Sequence, residues 1–216
     1  MHRGAYLVGV AGGSGSGKTT MVKALRERLP NGAVSVVSQD DYYHPKEMQA
    51  LDPQGHVNFD LPTAVDLDAL ANDLGDLVLG ASVRRQEYTF NQEGREARTV
   101  HVEPAPVVLV EGLFVLHHRP IRDLLDLKVF IEADTETQLQ RRLRRDEFER
   151  GYGRDEVLYQ WHNHVMPAYR NYLEPHRHAC DMHVINEAGF DRALDVIVDH
   201  LARVAERVAP LSLHSL

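Results

Sequence analysis

The stretch Gly12-Gly13-Ser14-Gly15-Ser16-Gly17-Lys18-Thr19 fits the phosphate-binding pattern G-x-x-x-x-G-K-[ST] and constrains this chain more than any other feature. It follows Tyr6-Leu7-Val8-Gly9-Val10-Ala11, a short apolar run suited to a buried parallel strand. It precedes Thr20 to Leu29, where Met21, Ala24, Leu25 and Leu29 recur at helical spacing. The chain therefore turns from strand to helix through glycines. Glycines let successive backbone N–H groups curl into an anion-binding nest, and the helix behind adds its positive dipole end. Such a loop suits a di- or triphosphate, with Lys18 reaching the β- and γ-phosphates and the Thr19 hydroxyl ligating Mg²⁺. A flexible Gly/Ser loop is the bland alternative, and the strand–helix context argues against it.

A chain of 216 residues with 43% hydrophobic content can bury a full core without disulfides or metal staples. Its single cysteine, Cys180, excludes an intrachain disulfide and fits a reducing cytoplasm. There is neither an apolar stretch of membrane-spanning length nor a basic-then-apolar leader, so a soluble cytoplasmic protein is expected. A net charge of −8 argues against broad attraction to nucleic acid or anionic membranes. Any anion must then be held by a local basic site, and homo-oligomerisation is left open.

Further strands are expected at Ala33 to Ser38, Pro106 to Val110, Leu127 to Ile131 and Met182 to Ile185, with helical patterns between or after most of them. That alternation predicts an α/β fold, a parallel sheet with helices on both faces. Two stretches break it. Asp40 to Asn58 is polar and turn-rich and reads as a flap over the site. Ser82 to Glu103 reads as an inserted β-hairpin, with strands over Val83 to Tyr88 and Ala97 to Val102 around Asn91-Gln92-Glu93-Gly94.

Glu111 follows the apolar run Val107 to Val110 and should emerge at the carboxyl end of a central strand, where open α/β sheets place ligands; it is a candidate Mg²⁺ group. Asp40 should emerge at the same edge, placed to accept a proton from a hydroxyl nucleophile, with Asp41 as its competitor and a turn or cap as the bland role for both. The run Arg141-Arg142-Leu143-Arg144-Arg145-Asp146-Glu147-Phe148-Glu149-Arg150 lies on a helix beginning near Thr135. Such a run is either a solvated face laced with i,i+4 pairs or, in a phosphate-transfer enzyme, a source of cations that close over the site. Thirteen histidines, among them His162-Asn163-His164 and His176-Arg177-His178, match no strong zinc spacing and are assigned surface or packing roles.

From about Leu7 to about Ile185 the chain resembles the uridine–cytidine kinases, with phosphoribulokinases and pantothenate kinases behind them. The matching segments are the phosphate loop through Thr20, Ser38-Gln39-Asp40-Asp41-Tyr42-Tyr43, Asn58-Phe59-Asp60-Leu61-Pro62, Glu87-Tyr88-Thr89-Phe90, Leu109-Val110-Glu111-Gly112, and Arg144-Arg145-Asp146 with Glu149-Arg150-Gly151. The resemblance implies a single P-loop NTPase-type kinase domain over 1–216, with a substrate-side hairpin over 82–103 and a helical lid over 135–155. The whole segment from Gly12 to Thr20 would bind the nucleotide.

The same resemblance implies that Asp40 is the base facing a nucleoside 5′-hydroxyl and that Asp60 holds the ribose hydroxyls. Tyr43, Phe59, Tyr88 and Phe90 would line the nucleoside pocket, with ordinary core packing as the alternative for these aromatics. Arg142, Arg145 and Arg150 would be lid arginines, and Gln160 would lie near the base. Departures from the family pattern are Leu61 and Thr63 in place of a histidine and an aspartate, Tyr152 in place of a second lid arginine with Arg154 nearby, and Glu93, or Gln92 one residue away in register, at the hairpin tip where a histidine or similar hydrogen-bonding residue is common. An ionised Glu93 at the pyrimidine edge would favour cytosine, which offers an amino donor there. The expected activity is phosphorylation of a pyrimidine ribonucleoside by ATP or GTP with Mg²⁺. The alternatives are a kinase of another hydroxylated metabolite, or a nucleotide-dependent switch without a small-molecule acceptor.

Overall fold

The computed structural model describes residues 4–90 and 96–208. In chain order its strands and α-helices are β1 (Tyr6–Gly12), α1 (Lys18–Arg28), β2 (Val34–Ser38), α2 (Leu67–Val78), β3 (Val83–Gln86), β4 (Thr99–Val102), β5 (Val107–Gly112), α3 (Arg119–Leu124), β6 (Leu127–Glu132), α4 (Thr135–Glu149), α5 (Arg154–Gln160), a short turn α6 (Met166–Ala168), β7 (Met182–Ile185) and α7 (Asp191–Val208). Two π-helical turns, Trp161–Val165 and Tyr169–Leu173, flank α6, the first joining it to α5. Among the described residues, no helix is long and apolar enough to cross a membrane.

The main sheet is parallel in the order β2-β5-β1-β6-β7, so the strand that feeds the phosphate loop is central. Its middle strands can be continuously apolar because both faces are covered: every residue of β5 is buried. Alternation assigns the side chains to two cores. Leu7, Val108, Val110 and Phe130 pack with Leu70, Leu74 and Leu77 of α2 on one face. Val8, Val10, Leu109 and Ile131 pack with Met21 and Leu25 of α1 and Leu194, Ile197 and Leu201 of α7 on the other. The register pairs Val10 with Glu111 and Ser38 with Glu111, which brings the ends of β1, β2 and β5 level beneath the phosphate loop.

The hairpin is present as the antiparallel pair β3–β4, shorter than its sequence suggests. The Glu87 N–H to Arg98 carbonyl bond, 2.8 Å, lies one step beyond the paired strands. Tyr88 and Phe90 then join an aromatic cluster instead of continuing the pairing. The tip, with Gln92 and Glu93, lies outside the described residues. The segment read as a flap is tied down at several points: Gln49 Nε2 donates to the carbonyls of His44 (2.7 Å) and Ala64 (3.1 Å), and Leu51 bridges to Val57.

Candidate active site

The phosphate loop needs its glycines for two reasons at once. Gly15 and Gly17 have φ of +78° and +103°, a region that L side chains rarely adopt. A Cβ on Gly15 would also lie 2.3 Å from the Gln138 carbonyl oxygen, and one on Gly17 would lie 2.3 Å from Asn186 Nδ2. Asn186 braces the loop by donating to the Ser16 carbonyl at 2.8 Å. Lys18 Nζ reaches the Gly13 carbonyl at 3.0 Å. Burial draws its pKa below the usual lysine value, against the pull of Glu111 and Asp40. Ser16 Oγ is buried without a hydrogen-bond partner. Curled glycines, a lysine and an orphaned hydroxyl fit a polyphosphate.

Behind the lysine, Glu111 Oε1 accepts from Thr19 Oγ1 and from Ser38 Oγ, both at 3.1 Å. Glu111 is buried, and burial followed by the nearby Asp40 carboxylate raises its pKa, against Lys18 and the two hydroxyls. Oxygen donors on Thr19, Glu111 and Asp40 suit a hard divalent cation such as Mg²⁺. Asp40 itself is capped through its N–H on Ser38 Oγ (3.3 Å) and lies 3.8 Å from Arg150. It borders both the phosphate cleft, with Gly15, Lys18 and Thr20, and the adjoining cavity with Tyr43, Phe59 and Asp60. Asp41 points elsewhere: it accepts from the Tyr88 backbone, and burial, then Asp40, pushes its pKa up to about 6.

The arginine run on α4 divides by helical face. Arg144 is exposed, whereas Arg142 and Arg145 turn inward and converge with Arg150 on one buried carboxylate, Asp146. Its oxygens lie 2.7 Å from Arg145 Nε, 3.1 Å from Arg142 Nε and 3.5 Å from Arg150. Although burial opposes ionisation, the arginines, led by Arg145 and Arg142, hold the Asp146 carboxyl below the usual range. Arg142 also donates to Ser14 Oγ and Gln160 Oε1, both at 3.0 Å, and faces Asp60 at 3.8 Å. Asp146→Ala would remove the carboxylate nearest all three cations and leave Arg142 and Arg150 with the more distant Asp60 and Asp40. We expect a loss of about 3–5 kcal/mol of stability, read as a melting temperature lower by roughly 10 °C. An unchanged melting curve would show that the arginines do not need this anchor.

On the side of Asp40 away from the phosphate cleft, Tyr43 meets Phe90 at 5.1 Å, Tyr88 at 5.4 Å and Phe59 at 6.0 Å between ring centroids. Arg150 lies 4.1 Å over the Phe90 ring. Tyr43, Phe59, Phe90, Asp60 and Gln160 line the cavity beside Asp40. Tyr88 packs edge-on against Phe90 at 4.7 Å and borders the cleft on the Asp41 side instead. The four aromatics are thus gathered in one place, from loop and hairpin segments far apart in sequence.

Asp146 and His164 were not singled out as site residues from the sequence. In sequence Asp146 is one of the acids able to pair with the arginines of its helix and a member of the family-matching segment Arg144-Arg145-Asp146, with no role of its own assigned. His164 lies deep in a π-turn yet lines the cavity beside Asp40, as do Val57, Leu113 and Tyr152. No local pattern marks His164, Val57 or Leu113, and Tyr152 stands where the family pattern has an arginine. His162 and His178 are exposed.

Residues 7–189 match the phosphoribulokinase/uridine kinase family. The chain is 35% identical over 192 residues to a uridine kinase from Limosilactobacillus reuteri, covering 88% of both chains. It is 33% identical over 208 residues to a uridine kinase from Clostridium tetani, covering 96% of this chain and 99% of that one. Its fold is similar to that of phosphoribulokinase from Rhodobacter spheroides, with a TM-score of 0.60 and 15% identity over 85% of this chain and 71% of the other. A phosphate loop at the end of the central strand, an arginine-bearing helix over it and a match across most of the length lead to one conclusion: the chain belongs to the phosphoribulokinase/uridine kinase family of P-loop kinases, which draw on an ATP-type phosphate donor.

Proposed function

We propose that this protein transfers the γ-phosphoryl group of ATP or GTP to the 5′-hydroxyl of a pyrimidine ribonucleoside, cytidine or uridine, acting in the cytoplasm as one kinase domain over 1–216. The observation that carries this reading is the place of Asp40, shared by the phosphate cleft and the aromatic-lined cavity. A carboxylate there can accept the hydroxyl proton as the hydroxyl oxygen bonds to the γ-phosphorus and the bond to the β–γ bridging oxygen breaks. Lys18, Arg145 and Arg150 oppose the charge spread over the transferring group. Thr19, Glu111 and Asp40 would hold Mg²⁺, which offsets phosphate charge when bound. The aromatic rings offer flat apolar surface to a base. The uridine kinase names of the relatives support a nucleoside as acceptor.

Asp60 is the proposed ribose reader, buried and close to Arg142. Asp60→Ala should raise KM for ribonucleosides by about tenfold or more and erase discrimination against ribose-modified analogues, because a hydroxyl reader is lost and the base contacts remain. Unchanged ribose discrimination would remove Asp60 from the site. The reading as a whole is tested with an acceptor panel of cytidine, uridine, purine nucleosides, ribulose phosphate and pantothenate, following ADP or GDP release. Preference for either of the last two would overturn it.

A further inference from the structure

Beside the acceptor cavity, one carboxylate gathers more donors than a loop needs. Asp52 Oδ1 accepts the backbone N–H groups of Gln54 and His56, each at 2.9 Å. Its Oδ2 accepts the Tyr159 hydroxyl at 2.6 Å and pairs with His164 Nε2 at 2.8 Å. The first two bonds close the turn Leu51 to Val57 on itself. The other two fasten that turn to the helical segment 154–165, whose Tyr159 ring also lies 4.3 Å from the ring of His56 and whose hydroxyl bonds Gln54. The Asp52 and His164 side chains are only 6% and 1% exposed. Burial opposes ionisation, yet the bonds from Tyr159, His164 and the backbone hold the Asp52 carboxyl well below the usual range.

The turn leads straight into Asn58-Phe59-Asp60, one wall of the acceptor cavity, where Asp60 N–H bonds Asn58 Oδ1 at 2.9 Å. The helical segment carries Gln160, the opposite wall. Arg142 spans from Gln160 to Asp60, and His164 lines the same cavity one turn beyond Gln160. The cavity rim is thus a circuit: Asp52, the turn, Asp60, Arg142, Gln160, His164 and back to Asp52. Arg142 closes it on the phosphate side, and the Asp52–His164 pair closes it on the far side.

We propose that Asp52 and His164 are a positioning pair that sets the separation of the Asp60 and Gln160 walls and thereby the affinity for the acceptor. The inference rests on the nucleoside reading above. Neither residue reaches the phosphate cleft, so the pair acts on acceptor binding and leaves donor binding alone.

Calorimetric titration with cytidine and uridine, and separately with a non-hydrolysable ATP analogue, tests this on wild type, His164→Ala, His164→Gln, Asp52→Asn and the double variant His164→Ala/Asp52→Asn. Losing a hydrogen bond to a charged group should weaken nucleoside binding by roughly 10- to 100-fold in His164→Ala and Asp52→Asn. The Kd of the ATP analogue should stay within about twofold. His164→Gln should recover most of the loss, because its amide N–H can still donate to Asp52. The double variant should lose less than the two single losses combined. Undiminished nucleoside affinity in a folded His164→Ala or Asp52→Asn protein, or equal weakening of both ligands, would overturn the proposal. Should His164→Ala fail to fold, Asp52→Asn decides it by the same contrast, and His164→Gln is the folded control expected to keep most of the nucleoside affinity. A wild-type protein that binds no nucleoside at all would overturn the acceptor reading itself, a result distinct from binding that ignores the pair.

Discussion

Lys18→Ala is expected to lower kcat/KM for phosphoryl transfer by about 10³-fold while the protein still melts close to the wild-type temperature. Lys18 sits at the start of α1 with its ammonium on the Gly13 carbonyl and Glu111 and Asp40 close enough to act on it electrostatically. Its loss removes a cation from the place where charge develops on the transferring phosphoryl group. It opens no cavity in either core, because Met21, Val22 and Leu25 carry the packing of that helix. A steady-state assay paired with a thermal melt checks both halves. Near-normal turnover by a folded Lys18→Ala protein would dissociate this loop from catalysis.

Asp40→Asn is expected to lower kcat by about 10²- to 10⁴-fold, since the amide keeps the shape of the side chain but cannot take the hydroxyl proton. KM for the nucleoside should stay within about tenfold, because the ribose and base contacts are untouched. The neighbouring substitution is the control. Asp41 accepts from the Tyr88 backbone, beyond the paired part of the hairpin, so Asp41→Asn should cost less than about tenfold in kcat. Reversed effects would exchange the roles of the two aspartates.

The strands were legible because each is a compact apolar run bounded by turn residues, and all five strands of the main sheet lie where those runs lie. The phosphate loop was legible because its function requires consecutive residues whose backbone conformation only glycine adopts freely. Glu111, next to last in β5, and Asp40, two residues past β2, could be placed from their position at strand ends, since a parallel sheet delivers all its carboxyl ends to one edge. The hairpin ends were less legible. Tyr88 alternates correctly for a strand, but the gain from clustering with Tyr43, Phe59 and Phe90 outweighs further ladder bonds, a choice made by rings from another part of the chain.

The charged helix marks the boundary most clearly. Its sequence determines that Thr135 to Glu149 is helical and that its arginines fall on more than one face, because both follow from composition and a period of 3.6 residues. Which face turns inward depends on partners such as Ser14, which meets Arg142 from 128 positions away. Likewise His164, buried at the wall of the cavity beside Asp40, meets Asp52 from 112 positions earlier. Local sequence decides backbone conformation through propensity and sterics. Whether a charge is solvated or buried is decided by what the fold places against it, since a buried ion is tolerated only where oppositely charged or hydrogen-bonding partners arrive to meet it.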